Sequence, residues 1–360
     1  MAIPLPKIVG WRQLTDMVNE MKPRRTFLRQ LLFPGADKLL HTETVMWSVR
    51  SRGWKSAGFV ARCAEAIMVD GYSEVEREVT APNIRLKSVF EPCHLLFDRR
   101  AGTAVFPDET EVRDAILDEI STKLALLEDD VSNTEEWMAA KSALGTGVLT
   151  YSTDRAAFEI DYLKPAANNM TAAVLWTTPA TAVPVQDVLD VKRRMYDEVG
   201  LQPTHAIVGA DAHDAILGLL NSSAQLAFRE SMKTDSGINL GGIDLQRNFE
   251  SNGAMFIGRM FGIDFWAYGQ QIEVNGAAVD LVRPKYIEFV HVGPSAMRQF
   301  NYAAIPDMTL IQEGRGPIRR RRFVKSWLQE DPSELYFLMH TRPLPVIKRP
   351  GALVSLLVSA

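Results

Sequence analysis

Between residues 109 and 144 apolar side chains recur every three to four positions: Val112, Ile116, Ile120, Leu124, Leu127 and Val131, continued by Trp137, Met138 and Leu144. That spacing predicts one face of a helix. Asp108, Glu109, Thr110 and Glu111 place negative charge at the positive end of the helix dipole, and Gly145 supplies a stop. A helix of about 35 residues is roughly 50 Å long at 1.5 Å per residue, well beyond the usual globular length. Such a rod acts as a spine along which other elements pack. Asn133-Thr134 reads as a bend in it, and Glu128-Asp129-Asp130 as a solvated face.

What precedes the spine has too little apolar material to close a core of its own. Trp11, Leu14, Met17, Val18 and Met21 predict a short amphipathic helix over 10–22, ended by Pro23. Phe27-Leu28 and Leu31-Leu32-Phe33 form an apolar cluster stopped by Pro34-Gly35. In 40–91 the helical period disappears. Thr42, Thr44, Val45, Trp47 and Val49 predict a strand, Gly58-Phe59-Val60-Ala61 another, and Ile84 to Phe90 more extended chain. About fifty residues of extended chain with few core-forming runs suit a projecting loop better than a compact domain.

After the spine, Gly147 to Tyr151 and Phe158 to Tyr162 alternate as a β-hairpin should, and 165–184 is a Pro-, Ala-, Asn- and Thr-rich crossing. Val185–Val199 predicts a helix capped by Gly200, His205–Gly209 a buried strand, and Ala210–Leu220 a second helix. Glycine-punctuated short strands fill 237–275. Lys285 to Val290 and Leu353 to Val358 predict two further strands.

The search for chemistry excludes most function classes. Net charge is −4, from 40 basic and 44 acidic residues, which does not point to a nucleic-acid binder. Two cysteines, Cys63 and Cys93, make neither a zinc site nor a disulfide framework. Met1–Val9 has no long apolar core, and no apolar run approaches the roughly 20 residues of a membrane span. Neither a Walker motif nor G-x-G-x-x-G nor G-x-S-x-G occurs. Asp211 and His213 beside a buried strand would suit a metal-dependent cytoplasmic hydrolase. The competing reading, an Asp capping a strand-to-helix turn, is the simpler one. Arg319, Arg320, Arg321 and Arg322 form the strongest charge run. They suit acidic faces on neighbouring copies, such as Glu128 to Asp130, better than phosphate.

Taken in order, several segments resemble the lambda-type capsid E family of phage major capsid proteins. They are Phe27–Phe33, Phe158–Tyr162 with Lys164–Asn168, Pro203–Ala212, Gly262–Tyr268, Lys325–Trp327, Glu330–Pro332 and Pro343–Val346. Where that family carries proline–aspartate near 275, Glu273-Val274-Asn275-Gly276 stands. The resemblance implies an α+β Hong Kong 97-like capsid fold with N-arm, extended β loop, spine helix, and peripheral and axial domains. The expected divisions are N-arm 1–39, extended loop (E-loop) 40–91, peripheral domain 92–171 with spine helix 109–144, axial domain 172–284, and peripheral return with C-terminal strand 285–360.

The implied function is a structural one: a major capsid protein of a tailed bacteriophage, self-assembling as hexamers and pentamers into an icosahedral shell around packaged double-stranded DNA. No enzyme activity, cofactor or metal is expected. Expected partners are other copies, a scaffold protein, a portal and a decoration protein, with DNA in weak non-specific proximity and no membrane. The expected locations are the virion capsid and, during assembly, the host cytoplasm. Candidate contacts between subunits are Phe27 and Leu31 on the N-arm, Trp47, Trp54 and Phe59 on the loop, and Arg319, Arg320, Arg321 and Arg322.

Overall fold

The long helix forms as one element. Glu109–Ala143 is helical throughout in the computed structural model, including Asn133 and Thr134 where a bend was expected. Thr134 returns its hydroxyl to the Asp130 carbonyl at 2.9 Å, so the pair is accommodated without a break. The structure describes residues 11–21, 26–51, 59, 65, 73–90, 109–153, 156–236, 253–293, 297–308, 316–329, 331 and 334–360.

Two bodies share this spine. Along its first half, Ile120, Leu124, Leu127 and Val131 pack on a three-stranded antiparallel sheet ordered Phe323–Gln329, Glu334–Thr341, Ile84–Phe90. Leu335, Phe337 and Met339 alternate toward the helix, as period two requires. The short helix Trp11–Glu20 adds Leu14 and Val18 to the same core. Its Thr15 hydroxyl donates to the Val324 carbonyl at 3.0 Å and accepts from the Val324 amide at 3.1 Å. Along the second half, Trp137, Met138, Ala140 and Ala143 pack with the helix Phe27–Leu32 and the loop hairpin.

The other body is a six-stranded sheet ordered Asn169–Thr171, Leu353–Leu357, Tyr286–Val290, His205–Val208, Ile263–Ala267, Met255–Met260. Helices Pro184–Val199, Ala210–Asn221 and Leu226–Ser236 contribute Val188, Met195, Ile216 and Phe228 to one of its faces. Ala206, Val208, Phe265, Ile287, Phe289, Val354 and Leu356 meet them, while Ile207 and Trp266 enter the core shared with the spine.

The expected return at 285–360 supplies two strands to this sheet: Tyr286–Val290 and Leu353–Leu357 pair with each other, and Tyr286–Val290 pairs with His205–Val208 in its middle. The physical reason is burial: strands covered on both faces belong at a sheet's centre.

In the loop region Thr44–Ser51 pairs antiparallel with Ser73–Thr80 over eight residues. Val45, Trp47 and Val49 alternate inward and are buried, while Met46 between them is exposed. Of the strand expected at Gly58–Ala61 only Phe59 is described, in no regular structure, and Trp54 lies outside the described residues. A second hairpin, Gln271–Val274 with Ala277–Asp280, turns on Asn275-Gly276. Both residues have positive φ, +55° and +78°, the conformation that Asn-Gly favours in a two-residue hairpin turn.

Candidate assembly surfaces and the charged hub behind them

The arginine run does not form one surface. Arg322 is 1% exposed and grips two spine carboxylates: Nε donates to Glu128 Oε2 at 2.6 Å and Nη1 to Glu135 Oε1 at 2.6 Å. Arg321 Nη2 donates to Glu128 Oε1 at 2.8 Å. From the N-arm side, Arg29 Nε lies 3.4 Å from Glu135 Oε2, and Tyr302 donates its hydroxyl to Glu135 Oε1 at 2.8 Å. Burial alone would raise the Glu135 carboxyl, but Arg322, Arg29 and Arg321 together hold it down at about 2. Glu128 and Glu135 stand seven residues apart, two helical turns, so one face of the spine presents both.

Glu136, next in sequence, does a different job. Its Oε1 accepts from the Leu28 amide at 2.7 Å and its Oε2 from the Arg29 amide at 2.8 Å. These are orphan donors in the first turn of Phe27–Leu32, whose N-cap Thr26 makes no side-chain cap bond. The spine therefore caps the N-arm helix from outside. Burial raises the Glu136 carboxyl above its ordinary value, against the hydrogen bonds from the Arg29 and Leu28 amides.

A second buried polar group lies on the sheet body. Lys164 Nζ donates to the Gly145 carbonyl at 2.7 Å and to Ser355 Oγ at 2.5 Å, with Glu288 Oε2 at 4.0 Å. Glu288 also accepts from Arg283 Nη2 at 2.8 Å. Burial pushes the Lys164 ammonium down to about 8, with Glu288 opposing. The group ties the spine's Gly145 stop to the central strands.

Several sequence expectations are corrected here. Arg321 and Arg322 pair inside their own subunit, and Glu128 is buried rather than solvated, because the helix face carrying it turns toward the arginines. Phe27 is buried against Trp266 and Tyr268, with ring centroids 5.5 and 5.2 Å away, and Trp47 is stacked on Tyr162. Leu31 is half-buried against the same core. Phe27, Trp47 and Arg322 are closed to a neighbour in this conformation, whereas Leu31 and Arg321 keep part of their surface open. Arg319 and Arg320 are exposed; Arg319 donates to the Leu39 carbonyl at 3.2 Å and Arg320 meets Asp16. Phe59 is fully exposed.

Asp211 and His213 do not make a site. Asp211 is exposed in the first turn of Ala210–Asn221, and the N-cap is Gly209, not Asp211. The glycine is needed for close approach: a Cβ there would lie 2.2 Å from the Arg283 carbonyl oxygen. Among the described residues the charged partner of the His213 ring is Asp214, at 3.8 Å. Among the described residues no group of three or more His, Cys, Asp or Glu could hold a metal ion.

What the chain turns outward is the hairpin Thr44–Ser51/Ser73–Thr80, with Met46, Glu76 and Glu78 exposed on the face away from the core. The three-stranded sheet turns outward Trp327, which stacks at 5.4 Å on the buried Tyr336, with Lys87 Nζ 3.6 Å from the Tyr336 ring centre. The family model of phage major capsid protein E matches residues 10–358. The chain belongs to that family.

Among solved structures, a prophage capsid protein from E. coli CFT073 superposes with a TM-score of 0.69 at 15% identity, covering 98% of this chain and 99% of that one. A phage-related protein from Bordetella bronchiseptica RB50 gives 0.49 at 13% identity, covering 98% of each. The mature capsid of bacteriophage PhiM1 gives 0.49 at 10%, covering 94% of this chain and 88% of that one. No curated protein matches the sequence. The fold is the α+β Hong Kong 97-like capsid fold, and this member of the capsid E family is a capsid-forming structural protein of a bacteriophage, not an enzyme. Capsid proteins of this kind assemble into multimeric shells and are virion components. No helix among the described residues is long and apolar enough to cross a membrane.

Proposed function

We propose that the chain builds an icosahedral shell from hexamers and pentamers around packaged double-stranded DNA, and that the loop hairpin is its main contact with the next copy. The observation that carries the reading is the hairpin itself. Its inner face is already buried at Val45, Trp47 and Val49, whereas Met46 on the outer face and Phe59 beyond the paired strands are exposed. Apolar side chains held out on a paired ribbon suit burial by another subunit. A patch on one copy meeting a different patch on the next gives a heterologous contact, which closes into rings when the rotation permits.

In this reading 1–39 serves as N-arm, 40–91 as extended loop, 92–171 as peripheral domain, 172–284 as axial domain, and 285–360 as the peripheral return with the C-terminal strand, lending two strands to the axial sheet. Phe59, Trp54, Arg319 and Arg320 are the leading contact candidates, with the partly open Leu31 and Arg321 beside them. Scaffold, portal and decoration proteins are the further partners. A net charge of −4 suits a wall that does not hold DNA tightly. Assembly takes place in the host cytoplasm.

Electron microscopy of the expressed protein tests this, with a variant in which Asn-Gly replaces residues 52–72 and joins Ser51 to Ser73 across a two-residue turn. Wild type should give closed particles, and the shortened variant should fold yet fail to form them. Equal particle yields from both would sink the loop reading.

A further inference from the structure

Among the described residues, buried arginines come with carboxylates, with one exception. Arg322 has Glu128 and Glu135, and Arg342 reaches Glu43 at 3.4 Å. Arg298 is 4% exposed and has no carboxylate partner among the described residues. Its Nη2 donates to the His291 carbonyl, and its Nη1 is closed to solvent without a hydrogen-bond partner. Arg298 opens the strand Arg298–Tyr302 and shares a side with Phe300 and Tyr302, so its guanidinium points into the fold. A guanidinium does not give up its proton in a protein, so the charge stays. An unpaired buried charge is among the heaviest penalties a fold can carry.

The surroundings are cationic. Asp264 is engaged by Arg259 Nε at 2.6 Å and Nη2 at 3.0 Å, and lies 4.0 Å from His205 Nε2. Burial holds His205 below its ordinary value; Asp264 pulls against it, and Arg259, Arg298 and His291 add to the lowering. His291 itself is tied through Nδ1 to the Gln202 carbonyl at 2.6 Å. Two guanidinium groups, Arg298 and Arg259, act on this spot with two imidazoles beside them, and the nearby carboxylate is already held by Arg259.

We propose that Arg298, with His291 and His205 beside it, is an oxyanion site completed on assembly by a carboxylate from a second copy of this chain. This rests on the shell-forming reading above. The chain carries 44 acidic against 40 basic residues, and Glu76 and Glu78 stand exposed on its hairpin, so each copy has carboxylates to offer. Arg298 itself is closed, but His205 beside it keeps 22% of its side chain exposed, so a carboxylate side chain approaches from that side. The free subunit then holds a charge whose partner arrives with the neighbour, and pairing favours the assembled state over the monomer.

The test compares wild type, Arg298→Met and Arg298→Lys in particle yield by sedimentation and electron microscopy, and in subunit melting with sodium sulfate or sodium chloride at matched ionic strength. Three results together are expected. Arg298→Met subunits melt at or above the wild-type temperature, their particle yield falls on the order of tenfold or more, and sulfate raises wild-type melting more than theirs. Arg298→Lys, which keeps the charge, should retain assembly within a few fold and part of the sulfate response.

Arg298→Met subunits that melt well below wild type, or that assemble as wild type does, would overturn the proposal. A sulfate response without loss of assembly also overturns it, since the occupant would then be a free anion and not a second copy. If wild type itself never forms particles, the shell reading fails separately. The sulfate comparison then still decides the site, its absence refuting an oxyanion site at Arg298.

Discussion

The sheet body and the spine hub are built from the same chain by opposite means. Between the six-stranded sheet and its three helices the packing is mainly apolar: Phe265, Ile287, Phe289, Val354 and Leu356 against Val188, Ile216 and Phe228. Around the middle of the spine the buried side chains include four charged ones, Glu128, Glu135, Glu136 and Arg322, with Arg29 half-buried beside them. Apolar burial is non-directional and scales with area. A buried ion pair first has to recover the desolvation of both charges, and it does so only in one geometry. The hub therefore adds less net stability than its many bonds suggest. It fixes which residue of the N-arm and of the arginine segment meets which turn of the spine.

Removing one member of the hub should give the largest effect. Arg322→Met leaves Glu128 and Glu135 buried without their main partner, and should cost roughly 3–5 kcal/mol of unfolding free energy in urea titration. Adding Glu135→Gln should recover part of that loss, giving a coupling of about 1–3 kcal/mol in a double-mutant cycle. A loss below 1 kcal/mol for Arg322→Met would erase the distinction between the two regions. On the apolar side, Leu356→Ala should cost about 2–5 kcal/mol through lost transfer energy and the cavity left behind. Being independent of charge, that loss should be the same in low and high salt, whereas the Arg322→Met loss is tied to ion pairs.

The contrast also explains what could be read from the sequence. The spine, the hairpin after it, the His205–Val208 strand and the helix after it follow from period and stop signals, because each element's pattern is set locally. The hub was hidden because its members are far apart: Glu128 and Arg322 are 194 residues apart in sequence. An acidic run on a helix ordinarily faces water, and only the tertiary approach of the arginines turns it inward. One signal was available, the seven-residue spacing of Glu128 and Glu135 on the face next to Leu124 and Val131. The place of Tyr286–Val290 in the sheet is not legible in the sequence for a related reason. Its neighbours in the sheet come from residues 205–208 and 353–357, and pairing across such distances leaves no local mark.

The finest test of the comparison lies in two adjacent residues with opposite responses to pH. Glu135 is held at about 2 against an ordinary 4.5. A lowered folded value contributes stability that is fully present above about 4.5 and is lost as pH falls toward 2. Glu136 is raised above 4.5 by burial, so its ionisation opposes folding. Its penalty is absent at low pH and grows as pH rises past 4.5 toward the raised value.

Glu136→Gln keeps an acceptor for the N-arm helix but no charge. Its stability at neutral pH should lie within about 1 kcal/mol of wild type, the scale of one cap interaction. The decline above pH 4.5 should disappear from its stability curve, while the Glu135 loss below 4.5 remains. Denaturation across pH 2–7 measures both limbs in one experiment. If the upper limb persists in Glu136→Gln, the buried carboxylate is fully compensated by the Leu28 and Arg29 amides, and the cap, like the Glu135 pairs, would then be a net gain to the fold.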